Sequence, residues 1–209
     1  LPSRATQEKE VSLKKINKIT LYILFFFNAL YAYPSLTKDL GIQQEALSKY
    51  LKNFNEFSAS FIQSNNETTE TGLLFIKKNR IKIQYQTPSN ILIVLSENKA
   101  MYFNQDLEEV EYFNPDKSIA GIFFNIFNNE NFFSNVPYKE EDKSLVFQKL
   151  IQSSDGTNIK LNIYFEKNPL VLRKIKLLSN DIDIIYSIFD HNFFPSLKEE
   201  DFSMANPLL

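Results

Sequence analysis

Between Glu70 and Asn114 the chain reads ETGLLFIKKNRIKIQYQTPSNILIVLSENKAMYFNQDLEEVEYFN, a succession of short apolar segments broken by polar turns. The spacing predicts consecutive antiparallel strands over Gly72 to Lys77, Arg80 to Gln86, Ile91 to Ser96, Ala100 to Asn104 and Glu108 to Phe113. In the second of these, Ile81, Ile83 and Tyr85 alternate with Arg80, Lys82, Gln84 and Gln86, the pattern of a sheet with one dry and one wet face. Lys78-Asn79, Thr87-Pro88-Ser89-Asn90, Glu97-Asn98-Lys99 and Gln105-Asp106 supply the turns. A meander this long makes a large sheet, and its dry face must be covered.

The rest of the chain supplies the cover and more sheet. From Ile42 to Phe54, Ala46, Leu47, Tyr50, Leu51 and Phe54 recur at helical intervals, and Phe57, Ala59 and Phe61 then alternate as a first strand. After the meander, Asn114 is placed to cap a helix with Pro115 at its first position, and Ile119, Ile122, Phe123, Ile126 and Phe127 form one broad apolar stripe. Strands return over Ser144 to Gln152, Thr157 to Glu166, Val171 to Ser179 and Ile182 to Asp190, with Ser153-Ser154-Asp155-Gly156, Lys167-Asn168-Pro169 and Asn180-Asp181 as turns. The expected fold is mainly β (α+β): an incomplete antiparallel barrel of about ten or eleven strands, lidded by two or three helices over an apolar cavity.

With 44% hydrophobic and 23% charged residues in 209, the chain is long and apolar enough to bury a sizeable core. Its 20 Phe and 10 Tyr against 4 Gly give that core large aromatic faces. A net charge of -2, with Lys and Glu interspersed, argues against a nucleic-acid partner. The absence of Cys excludes disulfides, a thiol nucleophile and thiolate metal ligands. Lys14, Lys15 and Lys18, the apolar run Ile19 to Phe27 and the small residues before Tyr33 follow the order of a secretory signal, with cleavage expected after Ala32. Residues 1–32 are thus read as extension and signal peptide, and 33–209 as one domain.

No catalytic or metal site is expected, nor any cofactor. The single His191 reads as a surface or turn residue, and Glu108-Glu109, Glu140-Glu141-Asp142 and Glu199-Glu200-Asp201 as solvated turns without metal-loop spacing. Lys77 and Arg80 read as the solvated edge of a hairpin. No glycine-rich phosphate loop occurs.

Several of these segments together resemble the LolA family of periplasmic lipoprotein carriers. The family pattern runs from Gly through an apolar strand and Arg-Pro into an aromatic and basic strand ending in Tyr with a nearby Pro. Gly72, Lys78, Lys82, Tyr85 and Pro88 occupy the matching places, while Lys78 stands for Arg and Asn79 for Pro. Phe57 to Gln63 is similar to the family's Phe-x-Ala-x-Phe-x-Gln segment, and Phe202 with Pro207 resembles its ending.

The resemblance implies a monomeric periplasmic carrier, not an enzyme, that shelters the acyl chains of triacylated lipoproteins. It would be loaded by an inner-membrane ABC transporter of the LolCDE kind and unloaded to a LolB-like acceptor or to the outer membrane directly. Phe57, Phe61, Ile81, Ile83, Tyr85, Met101 and Phe103 are the expected sheet lining of the cavity, with Tyr102 competing for the inward face. Ile119, Ile122, Phe123, Ile126 and Phe127 are the expected lid lining, and Lys78 the expected lid contact. The competing readings are a carrier or sensor of another lipid, such as a glycolipid or fatty acid, and a lipid hydrolase dependent on His191.

Overall fold

The alternating segments pair, in a computed structural model of the protein, into one antiparallel sheet of 11 strands. The structure describes residues 45–129, 131–152, 156–179 and 183–209, the Lys117 side chain excepted. The signal segment and the residues Ser153 to Asp155, Asn180, Asp181 and Ile182 lie outside the described residues. Leu47 to Leu209 form one compact unit, and the description concerns that unit.

Residues 45–52 are helical (α1), followed by a 3-10 turn over Asn53–Asn55. The first half of the sheet comprises β1 (Glu56–Ser64), β2 (Thr69–Lys77), β3 (Arg80–Thr87), β4 (Ile91–Leu95), β5 (Ala100–Asn104) and β6 (Glu109–Phe113). After α2 (Ile119–Asn128) come β7 (Tyr138–Glu141), β8 (Ser144–Gln152), β9 (Asn158–Glu166), β10 (Val171–Leu178) and β11 (Asp183–Asn192). The spatial order is β6-β5-β4-β3-β2-β1-β11-β10-β9-β8-β7, so two meanders join where β1 meets β11. The sheet is open: β6 and β7 are its edges, and α2 lies on the connection that carries the chain from one edge to the other. Glu109 and Glu111 on one edge and Lys139, Glu140 and Glu141 on the other put charge where unpaired backbone would invite further strands.

Alternation decides which side chains go inward. Phe57, Ala59 and Phe61 of β1, Leu74 and Ile76 of β2, and Ile81 and Ile83 of β3 are buried on one face. They join Phe147, Leu161, Ile163, Phe165, Ile175 and Ile188 from the other half in a single apolar cluster. Gly72 makes this packing possible, because a Cβ there would lie 2.4 Å from the Gln84 carbonyl oxygen and 2.6 Å from Phe61 Cζ. The Phe61 ring instead crosses β2 and meets Tyr85 edge-on at 5.1 Å.

Elsewhere the structure differs from the sequence reading. Met101 packs with Val94 and Phe202 in a second cluster on the outer face. Phe103 follows it by alternation, opposite Leu92 and Val110 that border the same cluster. That outer cluster exists because residues 197–204 run across the sheet as a strap, held where Lys77 Nζ donates to the Leu197 carbonyl (2.8 Å) and Tyr112 OH to the Met204 carbonyl (3.0 Å). Lys77, also 3.5 Å from Glu56 and 3.4 Å from Glu199, is therefore a tether and not a solvated edge. Asn114 caps only the 3-10 turn Pro115–Lys117, accepting from the Asp116 N–H at 3.0 Å, and α2 starts afresh after Ser118. His191 sits within β11, half-buried, not in a turn.

Candidate functional site

α2 is the element that covers the inner face. Ile122, Phe123, Ile126 and Phe127 are buried along one side, with Ile119 partly buried beside them. Phe123 meets Tyr186 of β11 edge-on at 4.6 Å, and Phe127 meets Phe54 at 5.3 Å. Phe54 in turn meets Phe57 edge-on at 4.5 Å, so aromatic contacts run without a gap from α2 through the 3-10 turn into β1. The Asn residues of this greasy helix fold back on it. Asn125 Nδ2 donates to the Gly121 carbonyl at 2.9 Å and Asn128 Nδ2 to the Phe124 carbonyl at 3.3 Å, so their amides stay satisfied close to apolar neighbours.

Beneath Phe123 the interior is filled. Among the described residues, a void of about 10 Å³ lies there, lined by Phe61, Leu74, Ile83, Phe123, Tyr186 and Ile188. That is about the space of one water, far below the roughly 300 Å³ at which ligand pockets begin. Over β1, β2, β3 and β11, Phe and Tyr rings from both sides occupy the place where the strand count leads one to expect an apolar cavity. Two clefts flank the helix instead. One, of about 260 Å³, opens toward β8 and β9 between Ile122, Asn125, Phe132, Lys149 and Ile159. The other, of about 400 Å³, lies between α1, the β2–β3 hairpin and the end of α2, bordered by Leu51, Phe54, Lys78, Asn79, Ile126 and Asn128.

Polar tethers hold α2 at its C-terminal end. The Asn79 N–H donates to Asn128 Oδ1 at 3.0 Å, from a left-handed backbone with φ of 61°. On the opposite side Lys149 Nζ donates to the Phe132 carbonyl at 3.2 Å and lies 4.2 Å from the centre of that ring. Lys78 borders the second cleft, and its backbone N–H donates to the Asn55 carbonyl at 3.0 Å. The lid hydrogen bond at this hairpin thus comes from the neighbour of the residue expected to make it.

Phe57, Phe61, Ile81, Ile83, Ile122, Phe123, Ile126 and Phe127 all fall in the main cluster, with Tyr85 and Ile119 packed at its margin. Met101 and Phe103 are not brought to this site. Tyr186, Lys149 and the Asn79–Asn128 pair were not among the expected site residues, and Gln63 entered only as the end of the Phe-x-Ala-x-Phe-x-Gln segment. Tyr186 was legible, since it alternates with Ile184 and Ile188; a backbone donor at Asn79 leaves no trace in a residue pattern. Tyr85 OH donates to Gln63 Oε1 at 2.7 Å and is hydrogen-bonded to Tyr186. Burial pushes the Tyr85 hydroxyl up to about 12 and raises that of Tyr186 as well.

His191 braces the site without facing it. Its Nε2 is 2.8 Å from the Leu172 carbonyl, whose own N–H donates to Tyr50 OH at 2.9 Å. The ring lies parallel to Phe193 at 6.4 Å and 5.6 Å from Phe57, and burial among these groups lowers its pKa. Glu140 pairs with Lys167 at 3.0 Å, and Glu199 with Lys77. Among the described residues no helix is long and apolar enough to cross a membrane.

The chain is similar to the uncharacterized protein RP864 of Rickettsia prowazekii, 24% identical over 207 residues, which cover 93% of this chain and 89% of that one. An uncharacterized conserved protein from Thermus thermophilus shares the fold, with a TM-score of 0.52 at 10% identity over 77% of this chain and 91% of its own. A putative outer membrane lipoprotein-sorting protein domain from Vibrio parahaemolyticus aligns at a TM-score of 0.45 and 11% identity, over 77% and 95% of the two chains. The family model of the outer membrane lipoprotein carrier protein LolA matches residues 52–204, from the end of α1 through every described strand, α2 and the strap, and the chain belongs to the LolA family.

Proposed function

We propose that this protein is a periplasmic carrier which takes up the acyl chains of lipoproteins leaving the inner membrane and releases them at the outer membrane. The need is thermodynamic: at about 0.8 kcal/mol per CH2, one long acyl chain costs on the order of 10 kcal/mol to hold in water. The observation that carries the reading is the way α2 meets the sheet. Its buried side is Ile and Phe against Phe, Ile and Tyr, so an acyl chain offers the inner face the same kind of contact that the lid offers it now. Few polar bonds have to break for the exchange, and the one from Asn79 is exposed.

Loading means lifting α2 off the inner face, which draws on an external energy source. An ABC transporter of the LolCDE kind fits that role, with a LolB-like acceptor or the outer membrane itself as the receiver. The basic and apolar order of residues 14–32 supports export, and the carrier is expected to act as a monomer.

The absence of Cys gives a direct test. The Asn79–Asn128 hydrogen bond holds the β2–β3 hairpin against the end of α2, so Asn79→Cys with Asn128→Cys sets a thiol on each side of that contact, and oxidation to a disulfide, checked by loss of free thiol, ties α2 to the sheet. The oxidised variant is expected to lose uptake of lipoprotein and the reduced one to regain it. Equal uptake in both states contradicts the lid, and uptake of a glycolipid or fatty acid in place of lipoprotein contradicts the cargo.

A further inference from the structure

One end of the inner face is not apolar. Gln63 of β1 stands opposite Tyr186 of β11 and Glu70 of β2, and Tyr85 of β3 stands opposite Gly72. Tyr85 OH, Gln63 Oε1 and the Tyr186 hydroxyl are joined by hydrogen bonds, and Tyr186 lies directly under Phe123. The small void between Phe61, Leu74, Ile83 and Phe123 is walled by apolar atoms, and the Tyr186 ring in that wall carries its hydroxyl to the Tyr85–Gln63 pair beside it. Packing hydroxyls beside an apolar void is costly unless each has a partner, and Leu or Phe would fill the same place without that demand. The Glu70 charge is near enough to raise both tyrosines further above their ordinary pKa, and Glu70 itself is only half-buried.

We propose that Tyr85, Gln63 and Tyr186 form a head-group subsite that receives a neutral ester or amide carbonyl when Phe123 lifts, and that Glu70 rejects acyl ligands ending in a carboxylate. The inference rests on the carrier reading and sharpens it to a ligand class. The donors suit the task. Tyr hydroxyls rotate to meet a carbonyl oxygen, and Gln63, whose Oε1 accepts from Tyr85, carries two N–H donors on the same amide. The acyl chain then runs inward over Phe61 and Ile83, while a fatty-acid anion would place its charge beside Glu70.

The experiment is displacement of the neutral dye N-phenylnaphthylamine from the purified full chain by monolauroyl glycerol or by laurate, at about pH 8 where laurate is ionised. The acyl chains are identical, so a difference reads the head group alone. Monolauroyl glycerol is expected to compete about tenfold better than laurate. Glu70→Gln should improve laurate about tenfold and leave the ester unchanged, and Tyr85→Phe with Gln63→Leu should bring the ester down to the level of laurate. Far-UV circular dichroism confirms that each variant is folded. Equal competition by the two ligands, or no response to Glu70→Gln, overturns the subsite and leaves the carrier standing. Failure of both ligands to displace dye from the reducible lid variant in its reduced form overturns the subsite and the carrier together.

Discussion

At the scale of single residues, two positions carry more than their size suggests. Gly72 is required by its neighbours, since a methyl group there would collide with the Gln84 backbone and the Phe61 ring together. Gly72→Ala is expected to cost about 1–3 kcal/mol, seen as a lower urea midpoint at unchanged slope. His191 sets a pH dependence. Burial holds its folded-state pKa below the usual 6.5, so above that value the imidazole is neutral in both states and its contribution to stability is complete. As pH falls below 6.5 the unfolded chain takes up the proton first, and stability declines until the folded state's own lower pKa is passed. Urea unfolding between about pH 7 and pH 5 should show a steeper fall in the wild type than in His191→Gln, and parallel curves would contradict the assignment. The sequence made the inner residues of β1 and β3 legible because Phe57, Ala59 and Phe61, and Ile81, Ile83 and Tyr85, alternate with polar residues. It misplaced Met101 and Phe103 because Ala100-Met101-Tyr102-Phe103 is apolar on both faces, and the partner that decides the matter, Phe202, is remote in sequence.

At the scale of elements, α2 is the part on which the carrier reading depends. Ser118 provides no side-chain cap, and the helix is held by its buried stripe and by tethers at its far end. Asn128→Ala removes the acceptor for the Asn79 N–H, a bond of about 0.5–1.5 kcal/mol, and should shift the lid toward opening. Dye uptake by the empty protein is expected to rise about threefold to tenfold, and an unchanged uptake would show that the tether does not restrain the lid. The Asn79 donor has a further implication. Proline, which holds this place in the family pattern, has no N–H to give and cannot adopt a φ of 61°, so this latch depends on the departure itself. The apolar stripe of α2 was legible from its period. Its true start was not, because Asn114-Pro115 is an equally good opening for the 3-10 turn that precedes it. β7 escaped notice because Tyr-Lys-Glu-Glu lacks the apolar alternation of a paired inner strand, as suits an edge.

At the scale of the molecule, the sheet owes its form to a pairing that local patterns do not encode. Hairpins follow from alternation and turns, whereas β1 meeting β11 in the centre joins segments more than a hundred residues apart, as Phe61 opposite Ile188 illustrates. The strap is a second long-range device: Phe202 is buried against Val94 and Met101 on the outer face. Phe202→Ala is expected to cost about 3–5 kcal/mol of stability while leaving dye uptake per folded molecule unchanged, since the strap and the lid lie on opposite faces. A loss of uptake that exceeds the loss of folded protein would contradict that separation. The central claim is that the inner face carries lipoprotein acyl chains, and native mass spectrometry of the protein recovered from a periplasm that also contains its lipoproteins tests it most directly. The carrier reading predicts a mass increment matching a triacylated lipoprotein, lost when Phe123→Asp and Ile126→Asp are combined; recovery with no apolar cargo would contradict it.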